Sequence, residues 1–261
     1  MNTLTLSPQR LLLLIRRDLV TERKDALNGL ATLTGIVVAL FMISSATGDT
    51  GGDFHSSLFI NILVIGGFVV SSMAFSDLKD PKTGLNYIMI PGSTLEKYLA
   101  KLLLTSVGWT LAVIMGYTAA TALAATIAPL FFATTPGFFL PVGRDIWNAI
   151  AAYLVTQSVF LFGSVYFKKA AFIKTALWAV LAAASLAIVY LATVRLAFAP
   201  AFEGFFLVRP GIDSQFVPGV PDDVLERLQD TLTVSGKILY WAVMPVFFWV
   251  AGVLRLRETE V

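Results

Sequence analysis

The chain reads as an all-α integral membrane protein with six transmembrane helices, and three observations predict it. Hydrophobic residues make up 57% of the chain and charged ones 14%, against about 45–50% and about 25% in soluble domains. Six apolar runs are each long enough to cross a hydrocarbon core that takes about 20 helical residues. Basic residues are spread unevenly over the connections between those runs. With the N-terminus inside, fourteen of the 19 Lys and Arg residues fall on the cytoplasmic side, so the positive-inside rule puts both termini in the cytoplasm. The net charge of +2 decides little beside that placement.

Residues 1–25 come first. The apolar stretch Leu11 to Ile15 runs straight into Arg16 and Arg17, too short for a secretory signal core. Ser7 and Pro8 instead open a helix, as N-cap and first helical residue. At 100° per residue Leu12, Ile15 and Leu19 share a face, with Arg17 and Lys24 roughly opposite. That pattern predicts an amphipathic helix lying on the membrane surface.

Residues 26–254 form the transmembrane domain, with spans predicted near Ala26–Ala46, Leu58–Ser76, Leu102–Ala125, Ile146–Phe167, Ala176–Ala197 and Ile238–Leu254. None carries an ionisable residue near its middle, and Arg195 stands at a span end where it can snorkel. Asn61, Gln157 and Ser158 are polar positions inside spans; bonding to a neighbouring helix and lining a substrate path are both open to them. Ala176, Ala179, Ala183 and Ala187 make a small-residue stripe, suited either to a subunit interface or to packing within the chain. Pro245 predicts a kink in the sixth span.

The richest polar chemistry lies in 77–101, between spans two and three. Ser93-Thr94-Leu95-Glu96 is a capping box, in which the Ser93 hydroxyl accepts from the Glu96 amide while the Glu96 carboxylate reaches back to the Ser93 amide. Lys97 and Lys101 follow before the chain turns apolar. On the other side, the connection from Ile127 to Arg144 is dense in Phe and Pro, which predicts interfacial packing or a dip into the membrane. The segment 198–236 begins with an apolar stretch broken by Pro200 and Gly204, then turns acidic at Pro221-Asp222-Asp223. A re-entrant element followed by an external helix is the expectation there. Residues 255–261 form a cytoplasmic tail.

Several chemistries are excluded. Without cysteine there are no disulfides or thiolate metal sites, and one histidine, His55, expected in an outer loop, leaves no catalytic triad or His-rich metal motif. Gly236-Lys237 is no phosphate loop, since Thr231 and Ile238 hold the positions that need Gly and Ser/Thr. The chain reads as no enzyme and binds no cofactor of its own.

This combination resembles the type-2 ABC exporter permeases: a basic amphipathic helix, six spans with both ends inside, a longer connection between spans two and three, and a partly apolar external segment before span six. FSDL followed by DPKTGLNYIMIPGSTLEKY is similar to the matching stretch of small permeases of that family in bacteria such as the Bacteroidota. The resemblance covers nearly the whole chain in topology and about 30 residues in motif. It implies a permease in the bacterial inner membrane that forms the translocation path and pairs with a second copy or a homologous permease. A separate cytoplasmic ATPase would bind ATP and Mg. The family's coupling helix would fall within Asp77 to Lys97, with Asp80, Lys82, Tyr87, Ser93, Glu96 and Lys97 toward the ATPase and Lys168 and Lys169 in a second, smaller contact. Membrane lipid is the remaining partner, and nucleic acid is not one. The alternative is a non-transporting membrane scaffold, an immunity or assembly protein that binds an amphipathic ligand. Uncharged spans favour an amphipathic or apolar cargo over a small ion.

Overall fold

The computed structural model describes residues 6–47, 52–79, 81–131, 139–141, 143–167, 169–197, 202–203, 207–208, 230–231 and 233–259. Six helices are long and apolar enough to cross a membrane: Leu27–Ser44, Phe54–Leu78, Thr94–Leu130, Arg144–Tyr166, Ala171–Thr193 and Thr233–Thr259. They mark a multi-pass membrane protein, with one helix for each predicted run.

Helix α1 (Pro8–Thr21) ends at Glu22, whose φ of −91° and ψ of 4° separate it from α2 (Arg23–Thr47). The second span joins α3 (Gly52–Asn61) to α4 (Gly67–Met73) through a π-turn at Ile62–Gly66. It therefore starts earlier than expected, and His55 belongs to a helix rather than a loop. Its ring is buried and stacks on Phe41 at 4.1 Å, where an aromatic face suits it better than open solvent. A 3-10 turn (Ser76–Lys79) leads to the short α5 (Pro81–Ile88). Next come α6 (Thr94–Leu103), a second π-turn (Leu104–Gly108) and α7 (Trp109–Ile127). Helices α8 (Arg144–Tyr166) and α9 (Ala171–Ala197) follow, and a third π-turn (Leu239–Val243) precedes α10 (Met244–Thr259).

Each wide turn loosens the backbone ladder, and in a bilayer the freed carbonyls need partners from elsewhere in the protein. The Trp109 indole donates to the Leu63 carbonyl at 3.0 Å, and the Tyr153 hydroxyl donates to the Thr105 carbonyl at 2.5 Å. Gly66 and Gly67 make room for those two rings, because a Cβ at either position would run into them. The third π-turn lies just before Pro245, whose ring would otherwise crowd the carbonyl four residues back. The expected disturbance at Pro245 is thus a π-turn.

Helix α8 is the hub, packed against α3, α4, α9 and α10. One core gathers Phe41, Phe59, Leu63, Val113, Tyr117 and Tyr153, and Phe139 joins it with its ring 4.8 Å from Tyr117. Part of the Phe-rich connection is therefore internal packing. A second core holds Phe75, Tyr87, Tyr98, Leu161, Val165 and Leu256. Of the segment between spans five and six, the described part before Asp230 is a minimal antiparallel ladder, Phe202–Glu203 against Leu207–Val208. The helix expected from Pro221 lies outside the described residues, as does the side chain of Arg195.

Candidate functional site

The α5–α6 end holds an arrangement that begins with the capping box. Ser93 is extended (φ −74°, ψ 154°), its hydroxyl accepts from the Glu96 amide at 3.2 Å, and its own amide donates to Glu96 Oε2 at 2.8 Å. The other carboxylate oxygen, Oε1, accepts from the Ser7 amide at 2.7 Å. One fully buried carboxylate therefore closes the starts of two helices 89 residues apart. The positive ends of both helix dipoles converge on it, which favours its negative charge. The hydroxyl of Ser7, expected to cap α1, makes no such bond. Glu96 takes over the reciprocal half of that cap because α1 has Arg10 where a capping box has an acid.

Further along α6, Lys97 donates to the Ile88 carbonyl at 3.3 Å, and its ammonium stands 5.4 Å from the centre of the Tyr87 ring. It thereby satisfies one of the carbonyls that the end of α5 leaves open. Lys101 lies one turn on, 3.0 Å from Asp18 and 3.0 Å from Glu22. Asp18 also faces Arg17 at 3.5 Å. Three charged residues of α6 thus bind the start of α1, the end of α5 and the end of α1. Tyr87 packs edge-on to Phe75 at 6.2 Å, Phe75 stacks on Tyr98 at 5.8 Å, and Tyr98 fills the notch at Gly252 of α10.

This geometry revises where contacts to a partner can come from. Tyr87, Ser93, Glu96 and Lys97 are buried, so their side chains hold the α1–α5–α6 unit together and offer little surface. What α5 does present is Leu85, Ile88 and Met89, which are 66%, 40% and 79% exposed. Met89 stands just past the end of α5, with its amide donating to the Leu85 carbonyl at 3.1 Å, so the three exposed side chains share one turn while Tyr87 points inward. Sequence reasoning missed these three side chains and Asp18, because which face of a helix is covered depends on the helices beside it. Asp80 and Lys168 lie outside the described residues, and the side chain of Lys82 is likewise not described. Lys169 is exposed, beside Ala170, which turns the chain into α9 with a φ of 52°.

The polar span residues separate. Gln157 is fully buried and accepts from Ser71 of α4 at 3.1 Å, while its amide nitrogen meets no partner. Asn61 is exposed and Ser158 buried, and both bond within their own helices, to Ser57 and Val155. Only Gln157 therefore joins two helices, since the other two reach a backbone carbonyl one turn back. Ala176 and Ala179 are half-buried, whereas Ala183 and Ala187 are exposed. Among the described residues no group of three or more His, Asp or Glu gathers to hold a metal. A shallow groove along the sixth span is lined by Leu239, Tyr240, Val243 and Phe247 and is apolar.

Compared with protein-family models, curated proteins and solved structures, the chain finds no match.

Proposed function

We propose that the chain is the membrane-spanning permease subunit of an ATP-driven exporter in a bacterial inner membrane, with both termini in the cytoplasm. A separate ATPase docks on the Leu85–Ile88–Met89 face. The observation that carries this reading is a short helix, between spans two and three, with an apolar outward face and an inward anchor. Force applied to α5 passes through Tyr87, Phe75 and Tyr98 to spans two, three and six. A rigid lever of this kind suits a bundle that is moved from outside. The six apolar helices supply the membrane domain, and the exposed Ala183 and Ala187 offer a close-packing surface for a second permease. In this reading the external segment re-enters the membrane, and α1 lies at the cytoplasmic interface.

The test is purification of the tagged chain from its native membrane, followed by an assay of MgATP hydrolysis. Leu85→Asp with Met89→Asp should abolish the associated ATPase activity and leave membrane insertion unchanged. Unaltered hydrolysis in that variant, or full activity of the chain with no ATPase bound, would return the non-transporting scaffold.

A further inference from the structure

Helix α1 is divided lengthwise into three strips. Leu14 and Asp18 are buried toward α6, flanked by half-buried Leu11 and Ile15. Leu12, Leu13, Leu19 and Val20 are each more than half exposed. At 100° per residue they fall within a sector of about 120°, turned away from Leu14 and Asp18. Arg16 stands in the middle of that sector, and Arg10 and Arg17 run along its flank, one heptad apart. Ile15, grouped with Leu12 and Leu19 by simple periodicity, belongs instead to the strip against α6.

The distribution of charge is the informative part. The acids of α1 and its C-cap, Asp18 and Glu22, are both tied to Lys101, and Asp18 also to Arg17. Glu96 at the helix start feels Arg10, and Asp25 follows Lys24 in the sequence. Arg10 and Arg16 are exposed, and Arg23 and Lys24 extend the exposed positive surface into the first turn of α2. Such a surface, an apolar sector with one arginine in its middle and cations along its flank, is complementary to a bilayer interface that carries negative headgroups. Arg16 can lay its stem along the leucines and send its guanidinium up to the phosphates.

We propose that α1 is a binding surface for anionic phospholipid, with Arg10, Arg16 and Arg17 contacting headgroup phosphates while Leu12, Leu13, Leu19 and Val20 enter the acyl boundary. The proposal goes beyond the permease reading and is tested without any ATPase. The purified chain is reconstituted in bilayers with trace spin-labelled phosphatidylglycerol or phosphatidylcholine, and the protein-restricted fraction of each lipid is compared. Attraction worth about fivefold per basic residue near the surface predicts a preference for phosphatidylglycerol of at least that size. R10Q/R16Q/R17Q should bring the two lipids to near parity, and R10K/R16K/R17K should keep most of the preference. If the Gln variant does not fold, raising the salt concentration on the unaltered chain should erode the preference instead. Parity in the unaltered chain overturns the proposal and leaves these cations to an acidic protein surface. A preference that survives in the folded Gln variant, that the Lys variant also loses, or that salt leaves unchanged in the unaltered chain overturns it as well.

Discussion

The α1–α5–α6 unit and helix α9 hold themselves in place by opposite means. In the former, Glu96, Lys97 and Lys101 are nearly or fully buried and each is matched by an amide, a carbonyl or an opposite charge. In the latter, only 6% of an 18-residue stretch of the span is buried, against 56% of one in α8, and the exposed side chains are almost wholly apolar. The difference follows from what each has to satisfy. An apolar helix at membrane depth completes its hydrogen bonds internally and meets lipid at no loss. A charge withdrawn from water must find a partner, and that requirement positions every residue around it.

Removing one charge from the unit should have the largest effect. Lys101→Ala leaves the buried Asp18 with only the more exposed Arg17 at 3.5 Å and should cost about 3 kcal/mol in reversible unfolding from detergent micelles. Adding Asp18→Asn should restore more than half of that loss, and failure to do so would mean that the pair contributes chiefly by packing. Ser93→Ala should cost about 1 kcal/mol, because the carboxylate of Glu96 keeps both amides while only its own amide loses an acceptor. If the proposed permease reading holds, it should also weaken ATPase coupling more than membrane insertion. Ala187→Leu on α9 should change unfolding by less than about 0.5 kcal/mol, as a substitution on an exposed face does. A shift of the purified protein from dimer to monomer in that variant, at unchanged stability, would assign the stripe to pairing.

Much of the local structure was legible in advance. The capping box was readable to the atom, because Ser93 and Glu96 are close in sequence and their bonds are set by one turn of backbone. Span placement was equally open to reading, because length and apolarity are properties of a segment alone. The candidate site was legible only in outline. Sequence reasoning took Glu96, Lys97 and Tyr87 for contacts to a partner, whereas the fold buries their side chains. Their burial comes from α1, Phe75 and Tyr98, none of which announces its proximity along the chain.

By itself, then, the sequence determined that this is a helical membrane protein with six runs long and apolar enough to span, since hydropathy needs no third dimension. Only the tertiary structure decided that one carboxylate starts two helices, that Lys101 gathers Asp18 and Glu22, and that Leu85, Ile88 and Met89 face outward. Those outcomes depend on which helices lie side by side, and a buried charge takes its partner from whatever the fold brings within about 3 Å.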